Sequence, residues 1–361
     1  MRHFNFLFLT SLLFIAASCT DKIVTQPGTQ SLNSSSIIYN KINLSVQPDK
    51  LQSQIVVVDS AGTNPQNWAI GFVSAAALGK VAYTTGITGQ HFEINVSKND
   101  NSQKHTIFSS TDPSLNIVLF PILSPDGMQV AFATAKKDSL NAHLYVANYD
   151  GTGLNLITQQ MNAYSTPSFV ASDEGGIIYY EINTYAQDST VDSTGHPHPG
   201  FVGASWIINS APNGNSYSGS IMLNPGTTSS ARISSRNGID MYAYVDNNQV
   251  FTVLNGYNQN SHLIDKGAAP LWSMDGMELA YNGIDNHVYM TWDLGATKID
   301  LTGPNQPSEA ISEWSLGGDK ILCASWTGTL GKSAASLKQV DVNTQQTTTI
   351  ASPAFFGYYL K

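Results

Sequence analysis

The sequence predicts an all-β propeller of four-stranded blades, seven in number with six as the alternative, closed by pairing of its N- and C-terminal strands. Three observations carry this expectation. A glycine turn followed by an apolar run recurs at Gly79, Gly127, Gly175, Gly238, Gly276 and Gly318, at spacings of 48, 48, 63, 38 and 42 residues. Periods of about 40–50 residues holding several short strands each are the mark of propeller blades. Hydrophobic residues make up 42% of the chain and charged ones only 12%, so the polar surface is built from Ser, Thr, Asn, Gln and Gly. That balance suits a β-rich exported chain better than a helical one. Lastly, the two ends of the repeating region complement each other. Residues 37–58 read as outer strands without an inner one, and Pro353-Ala354-Phe355 reads as an inner strand without outer partners. Joining them removes two exposed edges.

From the N-terminus, Met1-Arg2-His3 supplies a basic start. Residues 4–17 are apolar except for Asn5, Thr10 and Ser11, and Ala16-Ala17-Ser18 leads into Cys19. A basic head, a short apolar run and a small-residue cleavage site make residues 1–18 a secretory signal, not a membrane span. Residues 19–36 are rich in Ser, Thr, Gln and Gly without a hydrophobic period, and read as a flexible tether. Residues 37–361 form the propeller domain.

Its clearest unit runs Pro121, Ser124-Pro125-Asp126-Gly127, Val130-Ala131-Phe132-Ala133, Leu144-Tyr145-Val146 and Asp150-Gly151-Thr152-Gly153. Pro125 presets φ for a turn, Asp126 bonds nearby backbone, and Gly127 accepts a positive φ. The apolar run is a buried strand, and Asp150-Gly151 is a hairpin signal. The same layout returns around Pro270 to Gly276 with Leu279-Ala280-Tyr281, and around Trp314 to Asp319 with Ile321-Leu322. It returns more loosely around Phe169, Gly175 and Tyr179, around Gly238 and Tyr242, and around Gly79 and Tyr83. Trp272, Trp314, Phe169 and Phe355 share one position in the repeat and are expected in the core between blades. Cys323, within an apolar run, is expected as a buried, inert thiol.

Two resemblances follow from these residues. Ala16-Ala17-Ser18-Cys19 resembles the lipobox of bacterial lipoproteins, with Ala16 where that family usually has Leu. This implies that Cys19 is acylated and becomes the mature N-terminus. In the proteobacterial sorting rule, Thr20 in place of Asp after the cysteine points to the outer membrane. The Ser-Pro-Asp-Gly turn, apolar strand, aromatic strand and Asp-Gly-Thr-Gly resemble the TolB-type propeller repeat. The match is closest over residues 115–158 and good over 268–301, and the TolB propeller itself has six blades.

The longest spacing follows Tyr180, and residues 181–220 are expected as an extended loop inserted on one face. Long loops on rigid scaffolds are common sites of function. Within or beside it Tyr185, His196, His198, Phe201, Trp206 and Tyr217 are the candidate binding residues. His196 and His198, with Asp188 and Asp192 nearby, raise a divalent metal, but Pro197 and Pro199 splay the histidines and no third ligand stands at a diagnostic spacing. No metal site, cofactor or catalytic residue is therefore assigned.

Composition narrows the function further. A net charge of -9 excludes nucleic acid as a partner and removes electrostatic adhesion to anionic lipid. There is no Gly-x-Ser-x-Gly elbow and no glycine-rich phosphate loop after a strand. The expectation is a non-catalytic binding or scaffold module, held in the bacterial cell envelope by its lipid, with a protein or glycan partner. Some polysaccharide lyases are propellers with related repeats and a histidine-bound metal, which makes a metal-assisted polysaccharide lyase the alternative.

Overall fold

In a computed structural model the chain is described over residues 36–42, 50–87, 90–124, 126–137, 139, 141–162, 168–170, 177–187, 201–210, 216–223, 228–236, 239–246, 248–254, 261–273, 276–303, 308–328 and 334–360, with 163–242 as backbone alone. Strands follow one another almost without helix. First come β1 (Ile37–Lys41), β2 (Gln54–Val58) and β3 (Gln66–Ile70), then β4 (Phe72–Ala77), β5 (Lys80–Ile87), β6 (His91–Lys98) and β7 (His105–Ser110). Next are β8 (Leu115–Leu123), β9 (Gln129–Lys136), β10 (Asn141–Asn148) and β11 (Asn155–Asn162), and β12 (Ser168–Val170), β13 (Ile177–Gln187), β14 (Phe201–Ser210) and β15 (Ser216–Leu223). β16 (Thr228–Arg236), β17 (Ile239–Asp246), β18 (Gln249–Leu254), β19 (His262–Trp272), β20 (Leu279–Gly283), β21 (Val288–Thr291) and β22 (Ile299–Asp300) follow. The last are β23 (Ser308–Trp314), β24 (Lys320–Trp326), β25 (Ser336–Asp341), β26 (Thr347–Ala351) and β27 (Phe355–Tyr359).

The fold is an all-β propeller, but neither seven nor six blades is correct. The strands form five blades, each one hydrogen-bonded sheet: three of four strands, one of seven and one of eight. The repeat counts turns, whereas a blade ends only where the hydrogen-bond ladder ends. At two places where the turn period marks a boundary, the ladder runs on. β11 pairs with β13 through Met161 opposite Ile182. β19 pairs with β18 through its first half and with β20 through its second, without an intervening break. Gly267 sits at that corner, where a Cβ would lie 2.3 Å from the Asn282 carbonyl oxygen.

Strands near the axis meet in turn around it, the eight-stranded and seven-stranded sheets each supplying two: β27 beside β23 and β4, β4 beside β8, β8 beside β12, β12 beside β16, β16 beside β19, and β19 beside β23. The ring closes through β27, whose Tyr359, Tyr358, Gly357 and Phe355 pair with Ile37, Ile38, Tyr39 and Asn40 of β1. The strands next outward, β5, β9 and β24, are covered on both faces, which is why they read as unbroken apolar runs such as Val130-Ala131-Phe132-Ala133. Trp272, Trp314 and Phe355 are buried as expected, and the Trp314 indole donates to the Leu271 carbonyl across the blade boundary at 3.0 Å. Asn40 bridges to Val73 with both its amide atoms, and Asn282 spans Glu309 and Ile311 in the same way.

In such antiparallel sheets, the turns after the first and third strands from the axis share one face of the disc. The turn after the first strand is built three times on one plan. Ser124, Ser273 and Ser315 each accept a backbone N–H from Gly127, Gly276 and Gly318, and their hydroxyls accept from Gln129, Glu278 and Lys320. The turn after the third strand is closed by Asp59, Asp100, Asp150, Asp293 or Asp341, each bonded to a Ser or Thr two to four residues on. Those hydrogen bonds hold all five carboxyls below the usual range. The two turn sets touch, through Asn99 N–H to Gly79 O at 3.0 Å, Tyr149 N–H to Met128 O at 3.0 Å and Val342 N–H to Asp319 O at 2.9 Å.

The chain enters and leaves on this same face. Ile37 is level with Val58, where the Asp59 turn begins, and with Tyr359, and the Leu360 N–H donates to the Ser36 carbonyl. We call it the entry face.

At the outer rim one contact recurs. Gly62, Gly151 and Gly295 have φ of 78°, 86° and 91°, and a Cβ on each would lie 2.9, 3.1 and 3.0 Å from the carbonyls of Ile350, Thr106 and Ile264. Each turn thus presses on a strand from the preceding part of the ring. Gly79 has a similar φ of 77° but open space around it. Replacing Gly62, Gly151 or Gly295 with Ala is expected to cost about 2–4 kcal/mol, from backbone strain together with overpacking. Gly79→Ala should cost only about 1 kcal/mol of strain. Urea unfolding midpoints of the four variants check the difference.

Candidate functional site

Residues 181–220, expected as an extended loop, carry three strands. β13 and β14 form a long hairpin with unbroken register from Ile178 opposite Ser210 to Gln187 opposite Phe201, and β15 pairs along β14. The segment lacks the Val, Ile and Leu alternation by which strands are recognised, so its polar and small residues disguised a regular ladder. Tyr185 stands opposite Gly203 near the connected end of the hairpin, and Phe201 is opposite Gln187 at that end. Trp206 lies midway, between Ile182 and Met222, and Tyr217 is opposite Asn209 towards the other end. The candidates therefore spread along one ladder and are not brought to a point. His196, His198, Asp188 and Asp192 lie outside the described residues, as does Cys19. The connection that carries both histidines joins a second strand to a third, so its ends, Gln187 and Phe201, open on the face opposite the entry face.

Sequence reasoning missed the densest polar cluster of the described residues. Tyr281 donates to Asp265 at 2.8 Å, Lys298 Nζ lies 2.5 Å from the same Asp265 Oδ2, and Tyr289 donates to Asp285 at 2.6 Å. Lys298 also sits 3.7 Å from the Tyr289 ring centre, and His287 Nδ1 is 3.2 Å from Asp300 Oδ2. Burial works to raise the Asp265 carboxyl, but the hydrogen bonds from Lys298 and Tyr281 outweigh it and hold it low. Burial pushes the Tyr281 and Tyr289 phenols up, and their carboxylate acceptors push them further. Phenols held protonated donate to carboxylates held ionised. The cluster is a closed lock, without a free base. No spacing rule could have found it, because Asp265, Tyr281 and Lys298 meet only through sheet register.

A second polar pair is buried near the inner end of β23. Glu309 is 2% exposed, and its carboxylate lies 3.2 Å from Lys338 Nζ on β25. Burial raises the Glu309 carboxyl, with Lys338 opposing. Cys323, fully buried beneath them, has its thiol pushed well up by desolvation, as its apolar surroundings in sequence led one to expect. Among the described residues no group of three His, Cys, Asp or Glu is placed to hold a metal ion. No helix among them is long and apolar enough to cross a membrane.

Comparison with known proteins adds the fold and no more. No family model matches the chain, and no curated protein matches it. Among solved structures, the β-propeller domain of the Trilobed protease from Pyrococcus furiosus is similar, with a TM-score of 0.55 at 10% identity over 91% of this chain and 94% of that one. An oligogalacturonate lyase in complex with manganese gives 0.54 at 10% identity, over 81% and 84% of the two chains. The oligogalacturonate lyase of Vibrio parahaemolyticus gives 0.52 at 10% identity, over 87% and 93%. At such identity the likeness is one of architecture.

Breaking the buried pair tests whether it is structural. Lys338→Met leaves Glu309 uncompensated and should cost about 3–5 kcal/mol, whereas exchanging both partners, Glu309→Gln with Lys338→Met, should recover much of that loss. Denaturant midpoints of the single and double variants check this.

Proposed function

We propose that this protein is a lipid-anchored bacterial envelope propeller that binds a protein or glycan without transforming it. The carrying observation is the opposition of two faces. The described chain begins at Ser36 on the entry face, below a 17-residue stretch that starts at Cys19, while the β13–β14 hairpin opens on the other. A propeller tethered on one side offers the other to partners, with rigid strands fixing the position of whatever joins Gln187 to Phe201. Tyr185, His196, His198, Phe201, Trp206 and Tyr217 are the residues that this reading assigns to the partner. Acylation of Cys19 supplies the membrane contact, and Thr20 after it favours the outer membrane. The closed lock around Asp265, whose carboxylate is already paired with Lys298 and Tyr281, supports binding over catalysis.

A second reading, metal-assisted cleavage of an acidic polysaccharide, gains from the architectural likeness to two oligogalacturonate lyases. The described residues do not by themselves furnish a metal site, so no reaction step is derived for it.

One purification tests both readings. The full chain, its Cys19→Ser form, and a form with residues 188–200 replaced by Asn-Gly are expressed in the native envelope and cross-linked. The two-residue turn suits the Gln187–Phe201 pair and should leave stability unchanged. Cys19→Ser should appear in the soluble fraction, and persistent membrane association would sink the anchor. A defined partner captured by the full chain should be lost with the replacement. If partners are the same in both forms, the hairpin is not the binding site. Release of unsaturated products from oligogalacturonate that stops on chelation would replace binding with the lyase reading.

A further inference from the structure

Ten large hydrophobic side chains stand exposed among the described residues, and they are unevenly distributed. Leu78, Met128, Met277 and Leu316 occupy the turns after β4, β8, β19 and β23, at 57%, 50%, 39% and 51% exposure. Leu154 and Trp292 occupy turns after a third strand. All six therefore lie on the entry face. Only Ile70 and Ile284 are on the opposite face, and Leu156 and Leu263 are on strands.

The turns themselves do not need these side chains. Their bonds are made by Ser124, Ser273 and Ser315 and by backbone, and any residue could follow Gly127 or Gly276. Neighbouring turns also touch: a Cβ on Gly127 would be 3.6 Å from Leu78 Cβ, and one on Gly318 would be 4.0 Å from Glu278 beside Met277. The apolar groups thus stand as two adjacent pairs, Leu78 with Met128 and Met277 with Leu316, and rimmed apolar patches mark interaction surfaces.

What covers them follows from where the chain enters. Ser36 opens onto this same face and lies 17 positions after Cys19, a reach of at most about 60 Å. A lipid at Cys19 would hold this face, and not the opposite one, nearest the bilayer. We infer that the entry face rests on the lipid surface, with Leu78, Met128, Met277, Leu316 and Trp292 seated at the headgroup boundary. This rests on the acylation of Cys19 proposed above. The contact is apolar: the aspartates of this face are engaged in their own turns, and a net charge of -9 offers anionic lipid nothing. Methionine, leucine and tryptophan are suited to that boundary. The consequence is orientation, since a domain lying flat on its entry face directs the β13–β14 hairpin away from the membrane.

The test uses the full lipidated chain on phosphatidylcholine vesicles. Single variants Leu78→Cys, Met128→Cys and Leu316→Cys, and Ile284→Cys on the opposite face, are labelled with a fluorophore. Cys19 is occupied by lipid and Cys323 is buried, so only the new thiol reacts. With doxyl-labelled phosphatidylcholine in the vesicles, quenching at positions 78, 128 and 316 should exceed that at 284 at least threefold. Protein that floats with the vesicles but shows equal quenching at all four sites retains its anchor and loses the face assignment. Protein that does not float loses both. An emission shift without lipid quenching, growing with surface density, would mean that a second copy covers the face, and would overturn the inference.

Discussion

The pairing of β27 with β1 is the contact on which the rest of the architecture depends. A ring of twisted sheets has no exposed edges only if its last strand finds its first, and here four residue pairs join segments more than 300 residues apart in sequence. Once that pair forms, Ile37 and Tyr39 pack with Leu322, Leu337 and Tyr359 into one core, and Ile38 joins Val73, Val81 and Tyr83 in the next. The first and last blades are thereby held on both sides of one strand. Tyr359 is fixed further by Gln339 and by the Glu313 carboxylate, which accepts its backbone N–H.

Closure also fixes where the described chain begins and ends. The slot filled elsewhere by the turn after the first strand is filled in the first blade by the two chain ends, so the entry face is a consequence of the ring and not a separate feature. The same geometry brings the apolar turn residues to that side and the β13–β14 hairpin to the other. The two faces are thus told apart by strand direction alone. The outer rim is then sealed by the glycine turns at Gly62, Gly151 and Gly295, where carbonyls approach more closely than most Cβ atoms allow.

Much of this was legible. The Ser-Pro-Asp-Gly turn, the buried apolar run after it, the shared tryptophan position and the complementary chain ends are local signals with local physical causes. The blade count was not, because turn spacing says nothing of whether two neighbouring strands continue one ladder, as Met161 and Ile182 do. The β13–β14 hairpin escaped for another reason. Its Asn, Ser and Gly residues carry little strand propensity, and ten cross-strand pairs override that. The Asp265–Tyr281–Lys298 lock was invisible because its members are brought together by two different strands and a turn.

By itself, then, the sequence determined the class of fold, the turn chemistry, the buried and inert state of Cys323, and the two ends that had to meet. Each of these follows from side-chain type and spacing within a few tens of residues. The tertiary structure alone decided how many sheets the ring contains, which face the chain enters, and which charges neutralise one another. Those depend on register and on strand direction, and both are settled only when distant strands pair.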